Sequence, residues 1–497
     1  MSSRNVVDYI IVGNGTAGST LAHQLGANPA NRVLVIEYGG SDPQRGAGRA
    51  MNGSTTVNGT NWNRGGETDY PAWETAALTH WIRSHFRSVC TAIGRQAVSA
   101  TGSRGSDGRR LVEAAGPPDA LSTLWIGALA RQGVDAAEVL NRPYKQVGYA
   151  PLSMSNDTRT SAARAIRRGN ARRPNVRVRK HCAVRRIVFD GTTATGVEAQ
   201  TPRGTVWFTA RQEVIVCAGT MGSPLLLERS GIGDPEVLTN AGVHLVVDNP
   251  AVGGNLRQRH GAVIALRLNG APDRNRKPAT PAARLWSTVK YVLRRSRMPA
   301  HGGTAVLTTL SSDRGTSNPD MELLFTPVSA PDRDRTSAGA DHAIVAFYPQ
   351  SPTSTRSVHI TGPTLNDPPR LQPGHLSTDH DKDLTVAAFA RVRDILATEP
   401  FAPATTETFP GPEVVDTADV LPYVLDHGVT ASHQVGTCVL GPDGVVDDEL
   451  RVHGTHRLRV ADSSVLPTLM TGNTAALSMA VGWIAGDILR NANTRRR

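Results

Sequence analysis

The sequence predicts an α/β fold in which strands alternate with helices. Residues 6–12 read VVDYIIV, an apolar strand, and a glycine-rich turn, a helix over residues 19–25 and a second apolar strand over residues 32–37 follow it. A second strand–glycine–helix unit starts at residue 211. The chain has 497 residues, which is long for one domain. We therefore expect an α/β protein with two domains.

The turn after the first strand reads GNGTAG and has the spacing of a dinucleotide-binding loop. Gly13 permits the tight turn, Gly15 lets a pyrophosphate approach the backbone, and Gly18 lets the helix pack on the strand. Glu37 ends the second strand, where a carboxylate accepts hydrogen bonds from an adenosine ribose. This fragment does not distinguish FAD from NAD. The candidate cofactor-binding residues of the unit are Gly13, Gly15, Thr16, Ala17, Gly18 and Glu37.

The second unit carries signals for a strand, a turn and a helix. Residues 211–217 (RQEVIVC) end as a buried strand, and Gly219 turns the backbone. Ser223 and Pro224 are expected to open the helix as its capping residue and its first residue. Residues 230–233 (SGIG) are expected to end it, because glycine stops helices.

The carboxyl-terminal segment places polar residues next to the start of a helix. Two strand-like runs, residues 450–452 and 458–461, lead to Asp462. Asn473 directly precedes residues 474–489, in which apolar residues recur at helical spacing. We expect the amides at this helix start to face an anionic group.

Composition excludes several classes of function. The formal charge is +11, but only five of the fifty-four basic residues are lysine and the arginines are scattered, so we expect no nucleic-acid partner. The four cysteines stand far apart and indicate neither a metal site nor disulfides. No apolar run approaches membrane-spanning length, and Met1 leads almost directly into the first strand, which leaves no room for a signal peptide. We expect a cytoplasmic protein without membrane insertion.

Three stretches resemble the glucose–methanol–choline (GMC) family of flavin oxidoreductases. Residues 219–233 (GTMGSPLLLERSGIG) agree with the family's second signature at every position. Residues 48–65 are similar to the first signature, with Met51 and Asn52 as departures. The chain from residue 433 onward (HQVGTCVLG) is similar to the family's catalytic segment.

The resemblance implies FAD as the cofactor and a division into two domains. A Rossmann-like FAD-binding domain would be assembled from three chain segments, residues 1–75, 160–260 and 425–497. A sheet-and-helix (α+β) substrate domain would be assembled from two, residues 76–159 and 261–424. In family members with a covalent flavin, a histidine just before the asparagine carries the link. Val57 stands there in this chain, so we expect noncovalent FAD.

The resemblance also assigns residues to the reaction. His433 matches the family's active-site histidine, and Asn473 matches its partner, which is Asn or His in different members. A neutral imidazole beside the hydroxyl would take its proton, and the amide of Asn473 would hold the same oxygen. The rate should then fall below the imidazole pKa, roughly 6.5 if unperturbed. Further cofactor contacts are implied for Asn58 and Gly59 along the flavin, Val184 near the adenine, Asp462 at the ribityl–phosphate region, and Thr474 at the helix start.

Two departures from the family pattern bear on function. Between Gly40 and Gly48 the family has several tens of residues that cover the flavin, whereas this chain has seven. We therefore expect FAD to be less tightly held and some apoprotein after purification. Residues 254–260 (GNLRQRH) resemble the family's NLxDH element, but they lack its acid and are one residue longer.

The function implied is oxidation of an alcohol to an aldehyde or ketone, with hydride transfer to flavin N5. Two alternatives remain open: a redox-silent flavin-dependent lyase of the same fold, and a catalytically impaired flavin-binding protein. The identity of the alcohol, the electron acceptor (oxygen or another) and the oligomeric state do not follow from the sequence.

Overall fold

The computed structural model describes residues 5–40, 53–56, 58–63, 80–96, 110–114, 120–139, 145–152, 154–155, 158–159, 173–269, 306–313, 319–327, 342–372 and 374–495. The shortened segment at residues 41–47 and Val57 lie outside these residues.

The described residues form eight α-helices, numbered here in chain order. They are α1 Thr16–Leu25, α2 Arg83–Ile93, α3 Ala120–Arg131, α4 Gly219–Arg229, α5 Pro235–Asn240, α6 Asp379–Leu396, α7 Thr417–His427 and α8 Thr474–Arg495.

The strands of the described residues are also numbered in chain order. They are β1 Val6–Val12, β2 Val33–Ile36, β3 Gly94–Gln96, β4 Arg110–Ala114, β5 Asp135–Val139, β6 Gln146–Tyr149, β7 Pro151–Leu152, β8 Met154–Ser155, β9 Thr158–Arg159, β10 Val176–Arg179, β11 Ala183–Asp190, β12 Thr193–Thr201, β13 Gly204–Val216, β14 Ile232–Gly233, β15 Val247–Asp248, β16 His260–Leu268, β17 Val306–Leu310, β18 Met321–Thr326, β19 His342–Pro349, β20 Ser357–His359, β21 Arg370–Gln372, β22 Thr405–Phe409, β23 Val429–Thr430 and β24 Leu458–Val460.

The first large sheet has the parallel centre that the sequence predicts. Its order is β10-β2-β1-β13-β12-β11, and β24 pairs with the carboxyl end of β13. Strands β10, β2, β1, β13 and β24 run parallel, whereas β11 and β12 extend the sheet as antiparallel strands. Because its strands come from three separated parts of the chain, the sheet brings the glycine turn, the second strand–helix unit and the carboxyl-terminal segment together.

Helices α1 and α8 pack against each other through glycines. A methyl group on Gly482 would lie 2.3 Å from the carbonyl oxygen of Ala17, and one on Gly486 would lie 2.4 Å from Cβ of Gln24. Both contacts therefore require glycine, because any larger residue would separate the helices. This close approach fixes the start of α8 relative to the start of α1.

A second sheet and three helices enclose a separate core. The sheet order is β22-β16-β19-β18-β17-β6-β5, with β23 beside β16, and its pairs are antiparallel except for β5 and β6. Helices α3, α6 and α7 contribute buried side chains to this core. At its centre Trp125 stacks on Phe325 with ring centroids 5.1 Å apart, and Phe401 meets both rings edge-on.

The first core includes residues that we expected in the other domain. Trp81 and Phe86, at and near the start of α2, are fully buried there together with residues of α1 and α8. Helix α2 is amphipathic, with Phe86, Val89, Cys90 and Ile93 on its buried face, and it packs against α8. The domain boundaries themselves stay a prediction.

The predicted start of α4 is wrong by five residues. The helix begins at Gly219, and Pro224 lies inside it. Proline has no N–H for the carbonyl of Thr220, and the hydroxyl of Thr437 donates to that carbonyl instead, at 2.5 Å. Ser223 lies inside the helix and is not its capping residue. Its hydroxyl accepts from the N–H of Ala218 at 3.2 Å and donates to Oδ2 of Asp462 at 2.6 Å.

The strand predicted at residues 450–452 is also wrong. Arg451 and Val452 form only isolated bridges, to Arg459 and Val446. Leu450 has a φ of +66°, a left-handed backbone that interrupts an extended strand. The prediction of a helix after Asn473 is confirmed, and α8 continues to Arg495.

Among the described residues, no helix is both long and apolar enough to cross a membrane. All four cysteines are buried, and none of them forms a disulfide.

The contact between α1 and α8 predicts that replacing a helical glycine by alanine destabilises this protein. Glycine to alanine in a helix normally stabilises by up to about 1 kcal/mol. We expect Gly482→Ala to lower the free energy of unfolding by roughly 1–3 kcal/mol instead, because its methyl group meets the Ala17 carbonyl. Gly127→Ala in α3 is the control, since its methyl group would make an ordinary 3.4 Å contact and should stabilise. Denaturant titration of both variants measures the difference, and stabilisation by Gly482→Ala would contradict the packing.

Candidate active site

The glycine turn between β1 and α1 is built to receive a phosphate. A methyl group on Gly13 would lie 2.3 Å from the Cys217 carbonyl oxygen, and one on Gly18 would lie 2.1 Å from that of Gly13. A methyl group on Gly15 would meet no atom of the described residues within 4 Å. Helix α1 starts at Thr16 without a side-chain cap or an acidic residue in its first turn. Open space beside uncapped amides fits a pyrophosphate, as the sequence predicts.

The Glu37 carboxylate lies just after β2 and is held by backbone donors. The N–H of Asn14 donates to Oε2 at 2.9 Å, and that of Gly39 donates to Oε1 at 2.7 Å. Burial raises the pKa of Glu37, and these hydrogen bonds oppose the shift. The N–H of Cys182 donates to the Glu37 carbonyl, which brings the buried Val184 to the same end of the sheet.

The first-signature loop lies against the glycine turn. A methyl group on Gly53 would lie 3.0 Å from Cα of Gly15, so the loop closes over the start of α1. Asn58 and Gly59 follow in this loop and are partly buried. The loop therefore reaches the place where the sequence puts it, beside the dinucleotide turn.

The start of α8 lies at the other end of the same site. Asn473 precedes Thr474, the first residue of the helix. A methyl group on Gly472 would lie 2.0 Å from Nδ2 of Asn63, so the first-signature loop extends from Gly15 to this point. Because α8 crosses α1 at Gly482, its start projects eight residues, or about 12 Å of helix, beyond the crossing.

The Asp462 carboxylate is engaged within the protein. Its Oδ2 accepts from the N–H of Gly219 at 2.8 Å and from the Ser223 hydroxyl at 2.6 Å, and its Oδ1 accepts from the N–H of Ser464 at 2.9 Å. Asp462 therefore ties α4 to the turn after β24. Contact with a cofactor stays a prediction for this residue.

His433 and Asn473 are brought together, as the sequence predicts. Nε2 of His433 lies 2.9 Å from Nδ2 of Asn473. On the other side of the ring, Nη1 of Arg259 lies 3.5 Å from Nδ1. Burial and the positive charge of Arg259 lower the pKa of His433 to about 3. The imidazole is therefore neutral at pH 5 and above. The value of 6.5 applies to an unperturbed ring, and the pKa of this ring is shifted well below it.

Arg259 is the residue of this site that the sequence did not assign. It is fully buried and donates from Nη1 to Oε2 of Glu322 at 2.9 Å. It also donates to the carbonyl oxygens of Gly472 at 3.0 Å and Met470 at 2.5 Å. The sequence feature that could have indicated Arg259 is the departure of residues 254–260 from the family's NLxDH element. The acid that pairs with the arginine is Glu322, which lies on β18.

The fold and the site define a dinucleotide-binding α/β oxidoreductase, and the chain is matched by two models of one family. The family is GMC oxidoreductase, whose amino-terminal model matches residues 7–260 and whose carboxyl-terminal model matches residues 352–482. The chain belongs to the GMC oxidoreductase family. The FAD cofactor and the oxidoreductase class predicted from the sequence are thereby confirmed.

Relatives and solved structures agree with this membership. The chain is 29% identical to the oxygen-dependent choline dehydrogenase of Brucella suis, over 97% of this chain and 95% of that protein. It is 27% identical to the human mitochondrial choline dehydrogenase, over 98% of this chain and 90% of that protein. Pyridoxine 4-oxidase from Mesorbium loti superposes with a TM-score of 0.84 at 26% identity, covering 98% of this chain and 99% of that one. Formate oxidase shares the fold, with a TM-score of 0.89 at 21% identity and 99% of both chains covered.

The open space at Gly15 gives a direct test of the cofactor site. We expect Gly15→Val to fold and to lose FAD, because its side chain has room in the protein but occupies the space of the pyrophosphate. Gly13→Ala is the contrast, since its φ is +104° and its methyl group would meet the Cys217 carbonyl, so it should lose the fold itself. Flavin absorbance per mole of protein and circular dichroism distinguish the two. A folded Gly15→Val protein with full FAD content would refute the assignment.

The neutral state of His433 predicts the pH profile. Protonation occurs only below the folded-state pKa, so the rate of flavin reduction should not fall because of this residue between pH 8 and pH 5. The charged group facing the ring is Arg259, and its partner Glu322 lies behind it. Anaerobic stopped-flow measurement at saturating alcohol gives the profile. A loss of rate with an apparent pKa near 6.5 would contradict the structure.

Proposed function

We propose that this GMC oxidoreductase oxidises a small alcohol to an aldehyde or ketone at the His433–Asn473 pair. The observation that carries the proposal is the 2.9 Å approach of these two side chains next to the start of α8. A neutral imidazole and an amide side by side can both bond the oxygen of an alcohol. The sequence resemblance, which matches both residues to the family's catalytic pair, supports the same assignment.

The residues that would hold FAD line one path along the first sheet. The path starts at Glu37 and Val184, passes the amides of Gly15, Thr16 and Ala17 and the loop at Asn58 and Gly59, and ends near Asp462 and Thr474. When bound, FAD supplies the hydride acceptor, flavin N5. The protein's part is to orient the alcohol so that its C–H bond faces the cofactor and to control the hydroxyl proton.

Two roles for His433 are compatible with this function. The resemblance implies that it is the base and takes the hydroxyl proton, with Asn473 as the hydrogen-bond partner of the same oxygen. That role requires a lone pair on Nε2. The other role is to donate a hydrogen bond from an Nε2–H group as negative charge develops on the oxygen.

Further parts of the proposal come from the relatives and from the two cores. Relatives named for choline and pyridoxine oxidation support a small alcohol as the substrate, and the oxygen-dependent choline dehydrogenase supports oxygen as one acceptor. We propose that the first core belongs to the FAD-binding domain (residues 1–75, 160–260 and 425–497) and the second to the substrate domain. A cytoplasmic location likewise stays a prediction.

Removal of the imidazole tests the proposed function. His433→Gln should keep FAD and slow flavin reduction by about 10² or more, the loss expected when a proton acceptor or a donor to the reacting oxygen is removed. Asn473→Ala should slow the same step. The measurement is anaerobic flavin bleaching with a panel of alcohols, and His453→Gln is the control. That histidine bonds the Gly441 carbonyl, which is not part of the proposed pair.

The outcomes of this experiment separate the rival functions. Bleaching that depends on both an alcohol and His433 supports the oxidoreductase. Bleaching that is unchanged in His433→Gln would refute the role of the pair. Flavin that stays oxidised with every alcohol would favour the lyase or the impaired flavin-binding protein.

The attachment of FAD can be tested separately. Valine at position 57 has no nucleophile for a covalent link, so acid precipitation should release all flavin into the supernatant. Added FAD should also raise the thermal midpoint, because it binds only the folded state. Yellow flavin that remains in the pellet would show that this expectation is wrong.

A further inference from the structure

Arg259 donates hydrogen bonds in several directions at the centre of the site. Its Nε donates to the Gln350 carbonyl at 3.1 Å, and its other groups reach Glu322 and the carbonyls of Met470 and Gly472. Its side chain has no exposure to solvent. Such a guanidinium is always charged and has no acceptor atom, so every polar neighbour must present an acceptor to it.

Backbone pairing places Arg259 beside His433. The N–H of Arg257 donates to the Val435 carbonyl at 3.0 Å, and the N–H of Val435 donates back at 3.1 Å. The N–H of Ala431 donates to the Arg259 carbonyl at 3.3 Å. Two antiparallel segments therefore align His433, which lies between Ala431 and Val435, with Arg259. The approach of the two side chains follows from the backbone and does not depend on a flexible contact.

The guanidinium decides which ring nitrogen carries the proton. A neutral imidazole has one N–H donor and one acceptor nitrogen. Nδ1 of His433 lies 3.5 Å from Nη1 of Arg259, whose two N–H groups donate to Glu322 and to the Gly472 carbonyl. The positive charge of the guanidinium disfavours an N–H group at Nδ1, so Nδ1 is the nitrogen with the lone pair. The proton of the neutral ring is then on Nε2, the nitrogen that faces Asn473.

The proton on Nε2 of His433 determines which end of the Asn473 amide can face the ring. An Nε2–H group and an Nδ2 amide group 2.9 Å apart would be two donors facing each other. Oδ1 of Asn473 is buried and has no hydrogen-bond partner among the described residues. Rotation of the amide by 180° brings Oδ1 to the Nε2–H group and resolves both conflicts at once. The NH₂ group is then directed away from the imidazole, to the place that Oδ1 leaves.

We propose that Arg259 is a positioning residue that holds His433 as the Nε2–H tautomer and thereby orients the Asn473 amide with its NH₂ group towards the substrate. The site consequently presents donors to an oxygen atom of an alcohol, an aldehyde or a carboxylate. His433 offers no lone pair at Nε2 in this state, so of its two roles it takes that of donor to the oxygen. The hydroxyl proton is then released to solvent water as the hydride leaves. This proposal rests on the proposed function for the identity of the substrate, but not for the tautomer.

The tautomer can be read directly by nitrogen NMR. Full-length protein with its FAD, labelled with ¹⁵N-histidine, should show His433 with a protonated Nε2 and an unprotonated Nδ1 at pH 7. His433→Gln identifies the signals by their disappearance. A protonated Nδ1 with a bare Nε2, or a doubly protonated ring, would overturn the proposal.

Variants then test whether Arg259 is the cause. Arg259→Met should populate the Nδ1–H tautomer, because the positive charge that disfavours it is gone, whereas Arg259→Lys should retain the Nε2–H form. Arg257→Met is the matched control, since that side chain bonds Asn255 and the Pro352 carbonyl. Arg259→Met leaves the buried carboxylate of Glu322 without its partner, which can prevent folding. If it does, the double variant Arg259→Met/Glu322→Met is measured in place of the single variant. An unchanged tautomer in the folded variant would overturn the role of Arg259.

Alcohol-dependent bleaching of the same samples separates this proposal from the proposed function. A wrong tautomer with intact bleaching overturns this proposal and leaves the proposed function standing. The expected tautomer without bleaching by any alcohol removes only the proposed function.

Discussion

The charge of Arg259, buried with that of Glu322, is the constraint on which the site depends. An unpaired charge in the protein interior is strongly unfavourable, so the surrounding chain has to supply acceptors. It does so from β18 through Glu322, from the chain after β19 through the Gln350 carbonyl, and from the loop before α8 through Met470 and Gly472. One side chain thus joins the second sheet to the residue that precedes Asn473.

This arrangement shows how the two cores meet at the proposed reaction site. The first core sets the proposed cofactor path, because β1, α1 and α8 are fixed by glycine contacts that admit no side chain. The second core reaches that path through the buried pair. His433 lies at the junction, and its low pKa is a consequence of the same burial and charge. The chemistry of the imidazole is therefore linked to Arg259, in the segment 254–260 where this chain departs from the family's NLxDH element.

The sequence predicted what is local and missed what depends on distant partners. The turn from Gly13 to Gly18 could be read because backbone geometry within six residues demands glycine. The start of α4 could not, since Thr437 compensates Pro224 from more than two hundred residues away. The role of Arg259 depends on Glu322, which no window around residue 259 contains. Helix α2 likewise joined the first core through contacts that its own pattern does not specify.

The most direct test of this account is a double-mutant cycle on flavin reduction. Rates are compared for the wild type, His433→Gln, Arg259→Met and the double variant, each with FAD bound and saturating alcohol. If Arg259 acts through His433, its replacement should slow the wild type but have little further effect once His433 is gone. Equal and additive losses in the presence and absence of His433 would contradict the account.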